Sequence, residues 1–429
     1  MSLTWRALLF ASLTVTLAIV GLWATDPVIE RLWLLPAALL LLGLAVEGFL
    51  QRRIRIEVTA ADPLRMRLGR PQPVALRWQA DRPALLRYLF SVPDCVEAPA
   101  RAATVAAGRD GAEAVHEALP VRLGRARWPR FRGRVRGVLG LAWWTRAFQV
   151  PGEVAVEPDL LAGRRRDAAA ARRGGAHRTI AGSGSDLLEL RDYRPGDPLR
   201  KIDWKASARI GRWIAREFGA EQHNEIVLVL DTGRTSGVTV ERLTRLGHFV
   251  NAACRFAEYA TRLDDRVGLV TFADRPLATL APAHGESAVR RLRSALALAR
   301  PLALESNPLP AAARVLSLCR HRALVVLMLD LDDPGRQGQL GQAVRLLRGR
   351  HLPLVCGLLN PELAALRRRD ACRWIDPYIS LAAAEEIARV RASAAALRQL
   401  GAPVVLAAPG GFEDAVFAAY DQARSRRRV

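Results

Sequence analysis

The chain has 429 residues, half of them hydrophobic and a quarter charged, with a formal net charge of +22. That length exceeds one ordinary core and predicts two or three domains, and the apolar fraction excludes a disordered chain. Five scattered cysteines with no C-x-x-C pair, and seven histidines without metal spacing, exclude a disulfide framework and a zinc site and fit a reducing compartment. The positive charge is almost all arginine; the two lysines are Lys201 and Lys205. Such a balance fits an anionic partner, and equally an arginine-rich solvated surface from GC-rich coding.

Ala7 to Ala24 is uncharged, and Leu32 to Leu50 is a second apolar run broken only by Pro36 and Glu47. Each matches a hydrocarbon core of ~30 Å, and Trp5, Trp23 and Trp33 sit where indole rings favour the interface. No A-x-A-like site precedes the loop, so two spans are expected rather than a cleaved signal. Arg6 and the Arg52, Arg53, Arg55 cluster flank the pair, while the loop holds Asp26 and Glu30 against Arg31. The positive-inside rule then puts both termini and the soluble domains in the cytoplasm, at the inner membrane. Glu47 is expected to snorkel or to pair with the nearby arginines.

From Ile54 the pattern alternates, and short strand-like runs follow near Val74–Trp78, Tyr88–Val92, Ala118–Leu123 and Glu153–Glu157. These predict a small β-sandwich. Arg130, Arg132, Arg134 and Arg136 alternate with Phe131, Gly133 and Val135, so one strand face is arginine, as a solvated face or a contact with anionic lipid. Gly137 to Trp144 reads as core. The Arg/Gly-rich stretch that follows reads as a linker; its glycines match no phosphate loop.

In the segment RDYRPGDPLRKIDWKASAR, Arg194-Pro195-Gly196-Asp197 predicts a β-turn, with Asp197 capping a helix that starts at Pro198 and ends near Gly211. Trp204 is expected to pack, and Arg200, Lys201, Asp203 and Lys205 either pair locally or dock a partner. Beyond it, the buried-type strands Ile226–Leu230 and Leu324–Leu329 end on Asp231 and Asp330, and strands alternate with helical patterns to the end of the chain. This predicts an α/β fold with a doubly wound, mostly parallel sheet, whose ligand sites lie at the carboxyl ends of the strands. In DTGRT, Asp231, Gly233 and Thr235 fall at i, i+2 and i+4, a spacing suited to a hard divalent cation.

RDYRPGDPLRKIDWKASAR, REFGAEQHNEIVLVLDTGRTS, DDRVGLVTFAD and VVLMLDLDD together resemble the bacterial domain-of-unknown-function 58 family, whose C-terminal part is similar to a von Willebrand factor A domain. The resemblance implies a membrane-anchored partner of MoxR-type AAA+ ATPases in the assembly or maturation of other proteins. It also implies a degenerate MIDAS-like Mg2+ site of Asp231, Thr235, Ser306 and Asp330, with Gly233 in place of a serine; the alternative is an acidic cluster kept by strand-end geometry. Tyr193, Arg194, Gly196, Asp197, Arg200, Lys201, Asp203, Trp204 and Lys205 form the expected partner-docking segment.

The expected boundaries are 1–51 for a two-span transmembrane hairpin, 52–158 for the β-sandwich, 159–184 for the linker, 185–424 for the signature segment and A-like domain, and 425–429 for a basic tail. No nucleophile elbow, zincin motif or P-loop is present, so no enzymatic activity is expected. The competing reading is binding of anionic lipid or nucleic acid through net charge. Dispersed arginines and the lack of a nucleic-acid motif argue against a specific nucleic acid; the expected partners are the ATPase and the lipid bilayer.

Overall fold

The computed structural model describes residues 2–23, 26–99, 101–159, 181–195, 197–199, 202–219, 224–332 and 337–425. They divide into two compact units, Met1–Pro158 and Asp159–Val429. Most of the predicted linker, the last residues of the basic tail, and Gly196, Arg200 and Lys201 lie outside the described residues.

In the first unit, α1 (Trp5–Gly21) and α3 (Leu34–Arg53) are joined by the short helix α2 (Pro27–Glu30), whose first turn is capped by the Asp26 carboxylate accepting from Val28 N at 2.9 Å. Among the described residues, the stretch Pro27–Arg53 is long and apolar enough to cross a membrane. α1 is shorter at 17 residues, or roughly 26 Å of helix. Most of the leucines on both helices are exposed to their surroundings.

Twelve strands complete this unit: β1 (Ser2–Leu3), β2 (Ile56–Thr59), β3 (Leu64–Arg67), β4 (Gln72–Ala80), β5 (Ala84–Leu89), β6 (Val96–Glu97), β7 (Ala102–Ala107), β8 (Ala112–Pro120), β9 (Gly124–Arg127), β10 (Phe131–Arg136), β11 (Ala142–Phe148) and β12 (Glu153–Glu157). They form sheets of order β1-β11-β10-β5-β7, β2-β4-β8-β6 and β3-β12-β9. The first two face each other through Trp78, whose ring meets Tyr88 at 4.6 Å, Phe148 at 5.1 Å and Phe131 at 6.0 Å. Alternation along β10 puts Phe131, Gly133 and Val135 in this core and leaves Arg132 and Arg134 exposed outside.

Two expectations about this unit are corrected. Glu47 neither snorkels nor meets an arginine. It is fully buried, and its two carboxylate oxygens accept from Leu141 N (3.1 Å) and Ala142 N (2.9 Å) at the start of β11. Gly137 makes room for it, since a Cβ there would overlap the Glu47 carboxylate. Nor is Gly137 to Trp144 uniformly core. Gly137–Leu141 is the β10–β11 turn, and its Val138 and Leu139 are exposed while Leu141 and Ala142 are buried. The turn is grasped by both helices: Thr4 Oγ1 donates to Gly140 O at 2.6 Å, and Gln51 Nε2 to Arg136 O at 2.9 Å. Arg146 reaches the last helical turn, donating to Ile54 O at 2.7 Å and to Gln51 O. The start of α1 and the end of α3 therefore meet the same turn, so the helices run antiparallel.

The second unit is built on a six-stranded sheet of β15 (Glu225–Asp231), β18 (Arg266–Phe272), β19 (Pro276–Ala283), β20 (Ala323–Met328), β21 (Leu352–Leu358) and β22 (Val404–Ala407). Its order is β19-β18-β15-β20-β21-β22, parallel throughout except for the edge strand β19. The remaining strands are the hairpin β13 (Ala181–Asp192) and β14 (Ile214–Gly219), with α4 (Trp204–Ile210) between them, and the small pair β16 (Thr239–Val240) and β17 (Leu243–Thr244). The helices are α5 (Arg245–Arg262), α6 (Gly285–Ala297), α7 (Pro308–Leu318), α8 (Gln337–Arg348), α9 (Pro361–Arg368), α10 (Asp376–Gln399) and α11 (Pro409–Ser425).

The central strands are buried on both faces, as their unbroken apolar runs require. Val227, Val229, Val325 and Leu327 pack with α7, α8 and α10. The alternating residues Ile226, Leu228 and Leu230 point the other way, toward α5. There α5 meets α11 through Phe249–Phe412 (5.6 Å) and Phe256–Tyr420 (5.1 Å). Two boundaries move. β13 begins at Ala181, inside the predicted linker. Asp159, also assigned to the linker, is fixed to α5: its N–H donates to Asn251 Oδ1 at 3.0 Å and its carboxylate pairs with Arg255.

After β15 the chain builds β18 and β19 on one side, then crosses to build β20, β21 and β22 on the other. The order reverses between β15 and β20, and at such a reversal the connections leave from opposite faces and open a crevice at the carboxyl ends. Asp231 and Asp330 stand at those two ends.

Candidate functional site

The β15 loop is held by its neighbour loop. Leu302 N donates to Thr232 O and Arg234 N to Leu304 O, each at 2.8 Å. This lacing brings Ser306 to the end of β15, where its hydroxyl donates to Asp231 Oδ1; the same oxygen accepts from Gly233 N at 2.7 Å. Gly233 has an ordinary φ of −73°, so its role is space. A Cβ there would overlap Ser306 Oγ and lie 2.9 Å from Leu304 O. The missing hydroxyl at this position is thus a condition of the loop packing.

The other half of the crevice is filled by a cation from the protein. Arg245, the first residue of α5, is buried; its Nη1 pairs with Asp330 and its Nη2 with Asp332 Oδ2 at 2.8 Å. Asp332 N in turn donates to Asp330 Oδ1 at 3.1 Å. Asp231, Ser306, Asp330 and Arg245 are all buried, and Thr235 is half-buried nearby in sequence on a 3-10 turn, Arg234–Gly237. At the exposed rim, Arg234 pairs with Glu305 at 2.8 Å.

The β13–β14 hairpin carries the predicted docking segment. The Arg194–Asp197 turn forms, with Asp197 N donating to Arg194 O at 3.0 Å. Asp197 does not cap a helix. It takes Arg191 in a two-pronged pair (2.8 and 2.9 Å) and accepts from Arg194 N at 2.9 Å, locking the turn to its own strand. The helix begins later, at Trp204, capped by Asp203 accepting from Ala206 N at 2.9 Å, and ends as expected at Gly211 in the left-handed region. It is pinned across β14: Asp203 N donates to Ile214 O at 2.8 Å and Ser207 Oγ accepts from Ile214 N at 2.9 Å. The expectation that Trp204 packs is wrong. Trp204 is 64 % and Trp213 57 % exposed, with Leu199 and Ile210 also exposed. Lys205 is exposed beside them, and Tyr193 lies edge-on to Trp213 at 5.4 Å.

Both features lie in one region of similarity. Residues 189–399 match the family described as "Protein of unknown function DUF58". No curated protein matches. Among solved structures, the chain is similar to an aerotolerance-related membrane protein from Bacteroides fragilis NCTC 9343 at 15 % identity, covering 31 % of this chain and 67 % of that one, with a TM-score of 0.27. It is similar to the conserved hypothetical protein BatB from Bacteroides thetaiotaomicron at 14 % identity, covering 46 % and 99 %, with a TM-score of 0.31. A protein of unknown function from Porphyromonas gingivalis W83 matches at 11 % identity, over 43 % and 60 %, with a TM-score of 0.17.

The strand-end residues do not fit a resident Mg2+. A hard divalent cation needs carboxylate and hydroxyl oxygens turned toward one point. Here Asp330 is turned to Arg245, the first hydroxyl position is a glycine with no room to change, and Asp231 Oδ1 already accepts twice. Among the described residues no group of three or more His, Cys, Asp or Glu side chains could hold a metal. Arg245 was missed because it opens an amphipathic helix, where arginine ordinarily faces water. The available signal was its place on the apolar stripe, four residues before Phe249 and eleven before Phe256.

Asp203 supplies a pH test of the hairpin. The Arg216 guanidinium at 3.0 Å, and then the Ala206 N–H, hold its carboxyl below the ordinary aspartate range. A carboxyl lowered on folding stabilises fully above its unfolded value of about 3.9 and loses that effect as pH falls through the lower folded value. Acidification is therefore expected to release amide-exchange protection at Ala206 and Ile214. Asp203→Asn should already show reduced protection at neutral pH, with a flatter response to acid. Equal acid responses in both proteins would rule out Asp203 as the group responsible.

Proposed function

We propose that the chain is a membrane-tethered adaptor that presents the β13–β14 hairpin, on an A-like domain, to a protein partner, and that the partner is a MoxR-type AAA+ ATPase acting in assembly or maturation of other proteins. The observation that carries this reading is the exposure of two tryptophans on a short motif whose backbone is fastened by Asp197, Asp203 and Ser207. Tryptophan is costly to leave in water and is enriched among the residues that dominate interfaces; a pre-organised mount reduces the ordering cost on binding. In this reading both apolar helices cross the inner membrane and both units lie in the cytoplasm, as the flanking arginines favour.

The test is affinity purification of the tagged full-length chain from membranes. The wild type is expected to recover an AAA+ ATPase, with and without Mg2+. Trp204→Ser with Trp213→Ser is expected to reduce recovery at least about tenfold, since a single interface anchor is worth about 2 kcal/mol or more. Surface substitutions of this kind leave the fold intact, which amide exchange at Ile214 verifies. Recovery of no ATPase by the wild type would refute the partner, and undiminished recovery by the double variant would refute the hairpin as its dock.

A further inference from the structure

We infer that the first unit holds one anionic glycerophospholipid, with its phosphate between Arg6 and Arg136 and an acyl chain in the groove below the Gly140 turn. The inference rests on the reading that α1 and α3 lie in a bilayer, and it goes beyond that reading by naming a ligand site.

Three observations converge. The first is an apolar groove of about 450 Å3, lined by Phe10 of α1, by Leu39, Leu42, Gly43 and Val46 of α3, and by Leu139 and Leu141 of the β10–β11 turn. It is not bounded by helices alone. The turn enters from the β-sheet side, and Leu141 is held there by the Glu47 carboxylate that accepts its N–H.

The second is charge at one end of the groove. Gly140 lies between the two lining leucines. Arg136 Nη2 and Arg6 Nη1 lie 3.2 and 3.4 Å from the point where a Cβ on Gly140 would stand. Two guanidinium groups, one from the start of α1 and one from the end of β10, thus converge on one spot. Among the described residues neither makes an ion pair; the nearest carboxylate in the packing, Glu47, is occupied with Leu141 and Ala142. Like charges brought together without a counter-ion repel, and a phosphate oxygen between them satisfies both in the geometry guanidinium favours.

The third is position. Arg6 stacks near Trp5 at 5.9 Å, and Arg53 over Phe49 at 4.4 Å, at the ends of α1 and α3 that meet this turn. Indole and arginine at the ends of apolar helices mark the level of lipid headgroups. A headgroup phosphate at that level, with its acyl chain pointing along the helices, matches the order of charge and apolar surface in the site. Free phosphate would use the arginines and leave the groove unused.

The experiment uses the full-length chain in nanodiscs of phosphatidylcholine containing a minor fraction of phosphatidylglycerol, with bound lipid read by native mass spectrometry after transfer to detergent. The wild type is expected to retain one phosphatidylglycerol in preference to phosphatidylcholine. Excess inorganic phosphate is expected not to displace it. Arg6→Gln, which changes an exposed side chain, is expected to lower retention about tenfold, the effect of one lost charge-assisted contact. Arg136→Gln should act similarly, and Arg136→Lys should restore part of the preference. Equal retention of the two lipids by the wild type, or full retention by Arg6→Gln, overturns the site while leaving the membrane reading intact. Displacement by phosphate alone overturns the lipid in favour of a free anion. Failure of the chain to enter nanodiscs overturns both readings.

Discussion

Arg245→Met is expected to destabilise the second unit by about 3–5 kcal/mol, because it strands buried Asp330 beside Asp332 with no cation between them. For a unit of this size that corresponds to a fall of roughly 10 °C in its melting transition. Most of the cost comes from the orphaned carboxylate, so it is conditional. Asp330→Leu in the Arg245→Met background should recover much of the loss, since a well-packed apolar pair can replace a buried ion pair at little cost. Differential scanning calorimetry of the detergent-solubilised chain measures both. Additive losses in the double variant would refute the coupling. The same scans bear on the metal. A ligand that binds the folded state raises its melting temperature, and the expected result is an unchanged transition in Mg2+ and in EDTA. A Mg2+-dependent rise in the wild type would show that the Arg245 arrangement gives way to a metal site.

The second large effect is expected at Glu47. Replacement by alanine removes both acceptors for Leu141 N and Ala142 N in a fully buried place. Each buried N–H left without a partner costs about 1–3 kcal/mol, for a total of about 2–6 kcal/mol if the turn does not relax. The turn is also held by Thr4 and Gln51, so the expected outcome is local release before global unfolding. Amide exchange by mass spectrometry should show lost protection over residues 137–144, with the core of β4 around Trp78 unaffected. Glu47→Gln keeps one carbonyl acceptor and should lie between. Unchanged protection of 137–144 in Glu47→Ala would mean that the other contacts alone hold the turn.

These two residues also show where sequence reasoning reaches its limit. The helices at the N-terminus, the strands ending on Asp231 and Asp330, and the amphipathic run that became α5 were legible because each is a local period: unbroken apolar length, a short apolar run, or a repeat near 3.6. The left-handed cap at Gly211 and the Arg194–Asp197 turn were legible for the same reason, since caps and turns are chemistry between near neighbours. Partner choice for a charged side chain is not local. Asp197 was expected to cap the helix that follows, but Arg191, one strand back, offers two charge-assisted bonds where a cap offers one.

The sequence by itself determined that two apolar helices precede a β-rich unit and an α/β unit, because burial and backbone pairing write themselves into composition and spacing. Only the tertiary structure decided what the buried charges do. It set Glu47 on the backbone of a turn 94 residues away, placed Arg245 between two aspartates at the reversal of the sheet, and left two tryptophans facing outward. The physical reason is one of range. Removing a charge from water is so costly that it must be compensated by whatever group the fold brings within about 3 Å, and that group is chosen by the packing of elements far apart in the chain.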